Sequence, residues 1–119
     1  RFTEVGDDFI VAEMPVNERT VQPMRMLHGG ASCVLAETLG SVAAMLTLED
    51  ISKQYVVGTE INASHLRGVR EGGKVIGKVT PYRVGRSVQV WNIEIRDERE
   101  RLVCVSRLTC QVVRAGVKK

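Results

Sequence analysis

The chain has 119 residues, of which 44% are hydrophobic and 26% are charged, a composition typical of one globular domain. Its formal net charge of +3 comes from basic residues interleaved with acidic ones, as in EIRDERER at 94–101. One Trp, two Tyr and two Phe are too few for a base-stacking surface. These features argue against nucleic-acid binding, whereas a modest positive charge suits a substrate that carries phosphates.

The first half of the chain predicts a strand, a loop and one long helix. Residues 7–16 alternate in polarity as a strand does, and residues 17–28 have the mixed polarity of a loop. Helix signals then run over residues 29–48, GGASCVLAETLGSVAAMLTL. This run has about the length of a membrane span, but Glu37 and the polar residues near it favour a helix of a soluble protein.

The predicted helix has two chemically different faces. At about 100° per residue, an apolar stripe lies opposite Glu37 and is expected to pack on the sheet of the same domain: Leu35, Leu39, Val42 and Leu46. The side of Glu37 carries small residues: Gly30, Cys33, Ser41 and Ala44. Because small side chains allow close approach, we expect this face to meet a cleft or a second subunit.

The second half of the chain predicts four strands, most of them joined by short turns. The strands are expected at Tyr55–Arg67, Lys74–Tyr82, Ser87–Arg96 and Arg101–Val113. Glu71-Gly72-Gly73 is interpreted as a hairpin signal, and further turns are expected at 84–86 and 97–100. One strand, one helix and four strands predict an α+β fold in which an antiparallel sheet curves around the helix.

Residues 1–119 are expected to form a single domain in the reducing cytoplasm. Cys33, Cys104 and Cys110 form neither a CxxC pair nor a metal-binding spacing, and no signal peptide is recognisable. Cys33 shares the helix with Glu37, and we interpret it as a packing residue rather than a nucleophile. Arg1 is not a natural first residue, so we expect an N-terminal segment to precede it.

The strongest functional signal is Glu37, the only charged residue of the predicted helix. A lone carboxylate on an apolar helix is costly unless it has a partner or a chemical role. His28, Gly29 and Gly30 open the same helix, and a helix start offers free backbone N–H groups that stabilise negative charge. Such N–H groups are what a functional Glu could work with, although an ion-paired structural role for Glu37 stays open at this point.

Several segments resemble the hotdog-fold acyl-CoA thioesterases of the phenylacetate-degradation type. They are QPMRMLHGGASCVLAETLGSVAA, VVGTEINASHLRGVREG, VGRS, QVWNIEIRDE and RLVCVSRLT, which follow one another over nearly the whole chain. The chain resembles in particular the 1,4-dihydroxy-2-naphthoyl-CoA thioesterases of menaquinone biosynthesis and the proofreading thioesterases of enterobactin biosynthesis. The resemblance implies a hotdog fold, with one long central helix wrapped by a curved antiparallel sheet. It also implies an active site at a homodimer interface, commonly within a homotetramer.

The same resemblance implies which residues act. Glu37 matches the catalytic carboxylate, as nucleophile or general base, and the Gly29 N–H would bind the thioester oxygen. Gln22 and His28 would orient the thioester and the attacking water, and Ser41 would help to hold that water. Further positions match those that contact CoA or the acyl group: Gly58, His65, Leu66, Arg67, Gly68, Arg83, Val84, Gly85, Arg86, Ser87 and Val88.

Three of these positions differ from the residues that the relatives carry. Arg83, Arg86 and Gly68 are the departures, and they affect the preference for acyl group and carrier rather than the reaction. Arg83 and Arg86 are either ligands of CoA phosphates or solvated turn residues. His28 is either a site residue or a simple turn cap, and His65 also fits a strand surface.

The resemblance implies no metal or redox cofactor, since CoA enters only as part of the substrate. Two other functions stay open from the sequence. One is a non-catalytic acyl-CoA-binding module on the same fold. The other is a CoA-thioester hydratase, although the Asp/His pair that such chemistry needs is not found here. No GxSxG nucleophile motif is present either.

Overall fold

The computed structural model describes residues 1–24, 26–27 and 29–114, and it shows one helix packed on a six-stranded antiparallel sheet. The elements are β1 Phe2–Val5, β2 Ile10–Pro15, α1 Gly29–Leu46, β3 Gln54–His65, β4 Lys74–Val84, β5 Val88–Asp97 and β6 Leu102–Arg114. The strand order across the sheet is β1-β2-β4-β5-β6-β3. Because α1 packs against every strand from β2 to β6, the sheet curves around the helix, and the expected α+β fold is confirmed.

The core lies between α1 and the concave face of the sheet. Successive strand residues point to opposite faces, so alternate residues of the central strands are buried against the helix. In β5 these are Gln89, Trp91, Ile93 and Ile95, all at most 3% exposed. The helix has the length and hydropathy of a membrane span, but the sheet covers its inner face, as expected for the core helix of a globular domain.

The buried face of α1 differs from the predicted leucine stripe. Leu35 and Leu39 are buried as expected, but Val42 is only half-buried and Leu46 is 64% exposed. Small residues continue the buried face at helical spacing: Ser32, Ala36, Gly40, Ala43 and Ala44. A Cβ at Gly40 would overlap the side chain of Leu108, so the small residues let α1 approach β6 more closely than leucines would.

The predicted hairpin at Glu71-Gly72-Gly73 is wrong. The strands on either side of it, β3 and β4, do not pair, because β3 pairs with β6 while β4 lies between β2 and β5. The turn instead packs beside β2, where Gly72 N donates to Val16 O and Val16 N donates to Gly73 O. Gly72 has a φ of +102°, which explains the glycine at this place without a hairpin.

Strand β3 forms one edge of the sheet and β1 forms the other. All twelve residues of β3 are exposed or half-buried, and one side of its backbone has no strand partner within the described chain. A long unpaired edge is a ready template for pairing with another strand. β1 was not predicted from the sequence; its four residues are exposed, so no buried face imposes an alternating pattern.

A hydrogen-bond chain that begins at the buried side chains of Trp91 and Gln89 attaches the C-terminal end of α1 to β5. Trp91 Nε1 donates to Gln89 Oε1 at 3.0 Å, and Gln89 Nε2 donates to Thr47 Oγ1 at 2.8 Å. The Thr47 hydroxyl in turn donates to Ala44 O at 2.7 Å, at the last turn of the helix. These bonds satisfy polar groups that would otherwise be buried without partners.

The turn between β5 and β6 is organised by the buried carboxylate of Asp97. Burial raises the pKa of this carboxyl, but hydrogen bonds from the backbone and side chain of Arg101 and from Arg99 N outweigh it, so the pKa is lowered. Asp97 Oδ2 lies 2.8 Å from Arg101 Nε. The hairpin expected at 97–100 is therefore confirmed.

Candidate active site

A cavity of about 360 Å³ lies at the N-terminal end of α1, and six of the sixteen predicted site residues meet there. Its walls come from the loop before the helix, the first helical turn and the segment after β3. The predicted residues that line it are Gln22, Gly29, His65, Leu66, Arg67 and Gly68. They are up to 46 positions apart in the sequence and are brought together by the packing of β3 on β6 beside the helix start.

The imidazole of His65 lies close to Gly29 at the mouth of this cavity. A Cβ built at Gly29 would lie 3.3 Å from His65 Nε2, closer than an ordinary van der Waals contact. The glycine therefore lets the imidazole lie against the helix start, where backbone N–H groups lack intrahelical acceptors. This contact shows a steric reason for glycine at position 29 in addition to the approach of a ligand.

Gln22 is held over the cavity by the loop that precedes α1. Its backbone N donates to Met26 O at 2.8 Å, and its side-chain Oε1 accepts a hydrogen bond from Met24 N. Leu27 N donates to Val69 O at 2.7 Å, which attaches the loop to the segment after β3. Because the Gln22 oxygen is engaged, its NH₂ group is the part available to a ligand.

Met26 was not predicted as a site residue, but it shapes the cavity beside Gly68. A Cβ at Gly68 would overlap the terminal methyl of Met26, so the thioether occupies the space that a side chain at position 68 would need. This contact gives a steric reason for glycine at position 68 while Met26 keeps this conformation. The sequence carried no signal for it, since Met26 and Gly68 are not periodic neighbours.

Glu37 lies outside this cavity, in the middle of α1 and on its exposed face. No hydrogen bond or ion pair joins its carboxylate to another residue in the described part of the chain, so an ion-paired structural role is not seen there. Burial raises the pKa of the Cys110 thiol, and the charge of Glu37 raises it further. Cys110 pairs with Gly58 in the ladder between β6 and β3.

Within one chain, Glu37 is too far from Gly29 to act on the same carbonyl group. Eight residues separate them, which is about 12 Å along a helix axis. The Gly29 N–H also points out of the helix start, away from Glu37, so an oxygen bound there would lie farther still. Ser41, one turn beyond Glu37, is half-buried and is farther from Gly29 again.

The turn over residues 83–88 lies at the opposite end of α1. Val84, Gly85 and Arg86 line a second cavity of about 350 Å³ together with Thr47 and Arg114. Gly85 N donates to Val88 O at 3.0 Å, and a Cβ at Gly85 would lie 2.6 Å from that oxygen, so the turn requires glycine. Ser87 O accepts from Val112 N at 2.8 Å, while Arg83 and Val88 are exposed beside the turn.

Arg114 was not predicted, but it adds a second guanidinium to this cavity beside Arg86. Neither arginine forms an ion pair with a carboxylate of the described residues. The β6 pattern gave no functional signal for Arg114, which is the last residue of the strand and pairs with Gln54. His28 lies outside the described residues, and within those residues no cluster of His, Cys, Asp and Glu could hold a metal ion.

Comparisons with known proteins identify the family of the chain. The family model described as the thioesterase superfamily matches residues 24–104. The chain is 54% identical over 113 residues to a 1,4-dihydroxy-2-naphthoyl-CoA hydrolase of Escherichia coli (strain K12), covering 95% of this chain and 81% of that protein. It is 53% identical over 112 residues to the proofreading thioesterase EntH of Cronobacter turicensis, covering 94% and 80%.

A solved structure shows the same fold. The crystal structure of a thioesterase from Haemophilus influenzae superposes with a TM-score of 0.91 at 51% identity, over 98% of this chain and 79% of that one. The family match, the relatives and this superposition all point the same way. The chain belongs to the thioesterase superfamily, and it is a thioester hydrolase with the hotdog fold.

Proposed function

We propose that the protein is a cytoplasmic, homodimeric acyl-CoA thioesterase that hydrolyses an aryl-CoA, such as 1,4-dihydroxy-2-naphthoyl-CoA, to the free acid and CoA. The observation that carries this proposal is the separation of Glu37 from the Gly29 cavity within one chain. The hydrolase from Escherichia coli supports the aryl-CoA substrate, and with it a role in menaquinone biosynthesis.

The proposed active site is shared between two copies. The Gly29 N–H of one protomer donates a hydrogen bond to the thioester oxygen and stabilises the negative charge that develops there, and Gln22 and His28 orient the thioester and the attacking water. Glu37 of the partner subunit attacks the carbonyl carbon as nucleophile, or it removes a proton from the attacking water as general base. Ser41 of the partner subunit helps to hold that water.

Either route ends with the same bond changes. The C–S bond breaks and its electron pair leaves with the CoA sulfur, while water supplies the oxygen and proton of the acid. The thiolate then takes up a proton, because a thiol binds protons more tightly than a carboxylate does at neutral pH. The reaction needs no metal or redox cofactor, since thiolate is a good leaving group.

Two unsatisfied surfaces support the dimer. Among the described residues no strand pairs with the outer side of β3 over its twelve residues, and a two-fold axis through this edge would pair it with itself. The outer face of α1 exposes Val34 at 63% and Met45 at 50%, on the side of Glu37. A second copy on this face would cover these side chains, and a dimer of dimers is the larger assembly compatible with it.

The carrier is proposed to run from the Gly29 cavity to the arginines of the 83–88 turn. Arg83 and Arg86, with no carboxylate partner among the described residues, suit the phosphates of CoA. Gly58, close to the middle of the helix, would line the path between the two cavities. This places the charged nucleotide at the surface and the thioester at the helix start.

The experiment that tests the proposal is thiol release from a panel of aryl-, short-chain and long-chain acyl-CoAs. We expect turnover of aryl-CoA by the unmodified protein and a loss of about 100- to 10,000-fold in Glu37→Gln. The matched control is Glu18→Gln, an exposed loop carboxylate away from both cavities, which should keep the full rate. Tight CoA binding without turnover would show a binding module instead.

A further inference from the structure

One methionine side chain lies where the cavity at the helix start meets a larger neighbouring cavity. This neighbour, the charged cavity, has a volume of about 440 Å³, and seven charged residues from segments 70–74 and 97–101 line it. Met26 and Gly68 line both the charged cavity and the cavity at the helix start. The two spaces therefore adjoin at these two residues.

The backbone of Met26 is held in place, whereas its side chain fills the junction. Met26 O accepts a hydrogen bond from Gln22 N at 2.8 Å, and Leu27 N donates to Val69 O at 2.7 Å. The terminal methyl of Met26 occupies the space beside Gly68, where a Cβ would overlap it. Methionine is unbranched and fills irregular gaps, so a shorter side chain at position 26 would open the junction between the two cavities.

The charged cavity lies on the acyl side of a thioester that follows the proposed carrier path. Lys74 at the start of β4 lines it, whereas Val84 at the end of β4 lines the cavity beside the 83–88 turn. An extended strand of 11 residues separates these ends by about 33 Å. Because the carrier is proposed to run toward the 83–88 turn, the acyl group on the other side of the carbonyl extends toward Met26.

Two arginines make the charged cavity suitable for an anion. No ion pair joins the guanidinium of Arg70 or Arg99 to a carboxylate of the described residues. Asp97 is bound by Arg101, and Glu98 Oε1 accepts a hydrogen bond from the backbone N of residue 74 at 3.1 Å; the third carboxylate of the lining is Glu71. A guanidinium binds a carboxylate through parallel hydrogen bonds, so an acyl group that ends in a carboxylate matches this cavity.

We infer that Met26 is a specificity-determining residue, whose side chain keeps the acyl group in the cavity at the helix start and keeps a terminal carboxylate away from Arg70. The inference rests on the proposed thioesterase activity and on the proposed carrier path. In the unmodified protein such a carboxylate would lie against the thioether of Met26, which has no hydrogen-bond donor to offer it. With a shorter side chain at position 26, the same carboxylate would reach the guanidinium.

The test compares acyl-CoAs of equal length that end in a methyl group or in a carboxylate. The pairs are hexanoyl-CoA with adipoyl-CoA and octanoyl-CoA with suberoyl-CoA. Thiol release gives the ratio of kcat/KM for the carboxylated member to that for the methyl-ended member, and this ratio cancels any general change in turnover. We expect a ratio below one in the unmodified protein and a rise of about 10-fold for at least one pair in Met26→Ala. Met26→Val also lacks the sulfur and the terminal methyl, and it should show the same rise.

Two further variants separate the opening of the junction from the charge beyond it. Adding Arg70→Gln to Met26→Ala should return the ratio to that of the unmodified protein, because the carboxylate then loses its partner. The matched control is Met24→Ala, since Met24 is 79% exposed in the same loop and lines neither cavity. This control should keep the ratio of the unmodified protein.

The outcomes separate this inference from the proposed function. A rise at position 26 that disappears with Arg70→Gln supports the role of Met26. An unchanged ratio in both position-26 variants, an equal rise in Met24→Ala, or a rise that survives Arg70→Gln overturns it while leaving the thioesterase activity intact. Failure of the unmodified protein to release thiol from any acyl-CoA, aryl-CoA included, overturns the proposed function itself, and the inference with it.

Discussion

A mixed dimer of two inactive variants gives the sharpest test of the shared site. Glu37→Ala removes the carboxylate, and Gly29→Val blocks the other half, because a Cβ at Gly29 already lies 3.3 Å from His65 Nε2 and two further methyl groups fill the cavity mouth. Each homodimer should lose about 100- to 1000-fold or more in kcat/KM. Differently tagged copies can be co-expressed and the heterodimer isolated by tandem purification.

The expected activity of the heterodimer follows from the geometry. Because about 12 Å of helix separates the two residues within a chain, each site must take Glu37 from one copy and Gly29 from the other. In the heterodimer both lesions fall in one site, and the second site is intact. We expect about half the activity of the unmodified dimer, since one of two equivalent sites is restored. A heterodimer as inactive as its parents would refute the shared site. In that case each site would use Glu37 and Gly29 of the same copy, so each of the two sites would carry one of the two substitutions.

Three further predictions concern stability and reactivity. Leu39→Ala should lower the free energy of unfolding by about 2–5 kcal/mol, measured by urea denaturation, because Leu39 is fully buried between helix and sheet; a loss under 1 kcal/mol would contradict this packing. Asp97→Asn should lower the Tm at pH 7, because the pKa of Asp97 is lowered in the folded state and its ionised carboxylate therefore stabilises the fold. This stabilisation is fully present above the unfolded pKa of about 3.9 and is lost as the pH falls through the folded pKa. The Tm difference from the unmodified protein should therefore shrink below about pH 4, and a constant difference from pH 7 to pH 3 would be inconsistent with this. A thiol reagent at neutral pH should label Cys33 before the buried Cys104 and Cys110. Burial raises the pKa of both buried thiols, and the charge of Cys33 raises that of Cys104 further, as the charge of Glu37 does for Cys110. Mass spectrometry that finds Cys104 labelled first would disprove this order of labelling.

Local patterns in the sequence were enough to predict most of the elements. The helix expected over residues 29–48 is found at Gly29–Leu46, and the strand expected at Lys74–Tyr82 is found at Lys74–Val84. These elements could be predicted because the hydrophobic period and the turn residues act over a few positions. The fold class followed from their order together with the family resemblance.

The parts that could not be predicted depend on contacts between distant residues. The position of β3 beside β6 at the sheet edge is set by pairing between residues distant in the sequence. The glycine-rich turn at 71–73 resembles a hairpin locally, but it carries no information on which strands pair. The buried face of α1 followed Gly40 and its small neighbours because Leu108 of β6 approaches there. Sequence periodicity records polarity, but it does not record how closely a helix and a sheet approach each other.

The candidate site shows the same division. Gln22 and Gly29 were found because the family resemblance covers them, and they do meet at one cavity. Met26 was missed, since a methionine in a loop carries no functional pattern. Its place in the site is visible only when the loop, the helix and the segment after β3 are assembled.

The hydrogen-bond chain at the C-terminal end of α1 contains Trp91, whose intrinsic fluorescence can report on this part of the protein. Trp91 is the only tryptophan of the chain, and it is 3% exposed at the seam between helix and sheet. Its emission therefore has a single origin, fixed through Gln89 to the last helical turn. Gln89 and Thr47 also line the cavity beside the 83–88 turn, so a carrier that reaches this turn should change the emission directly.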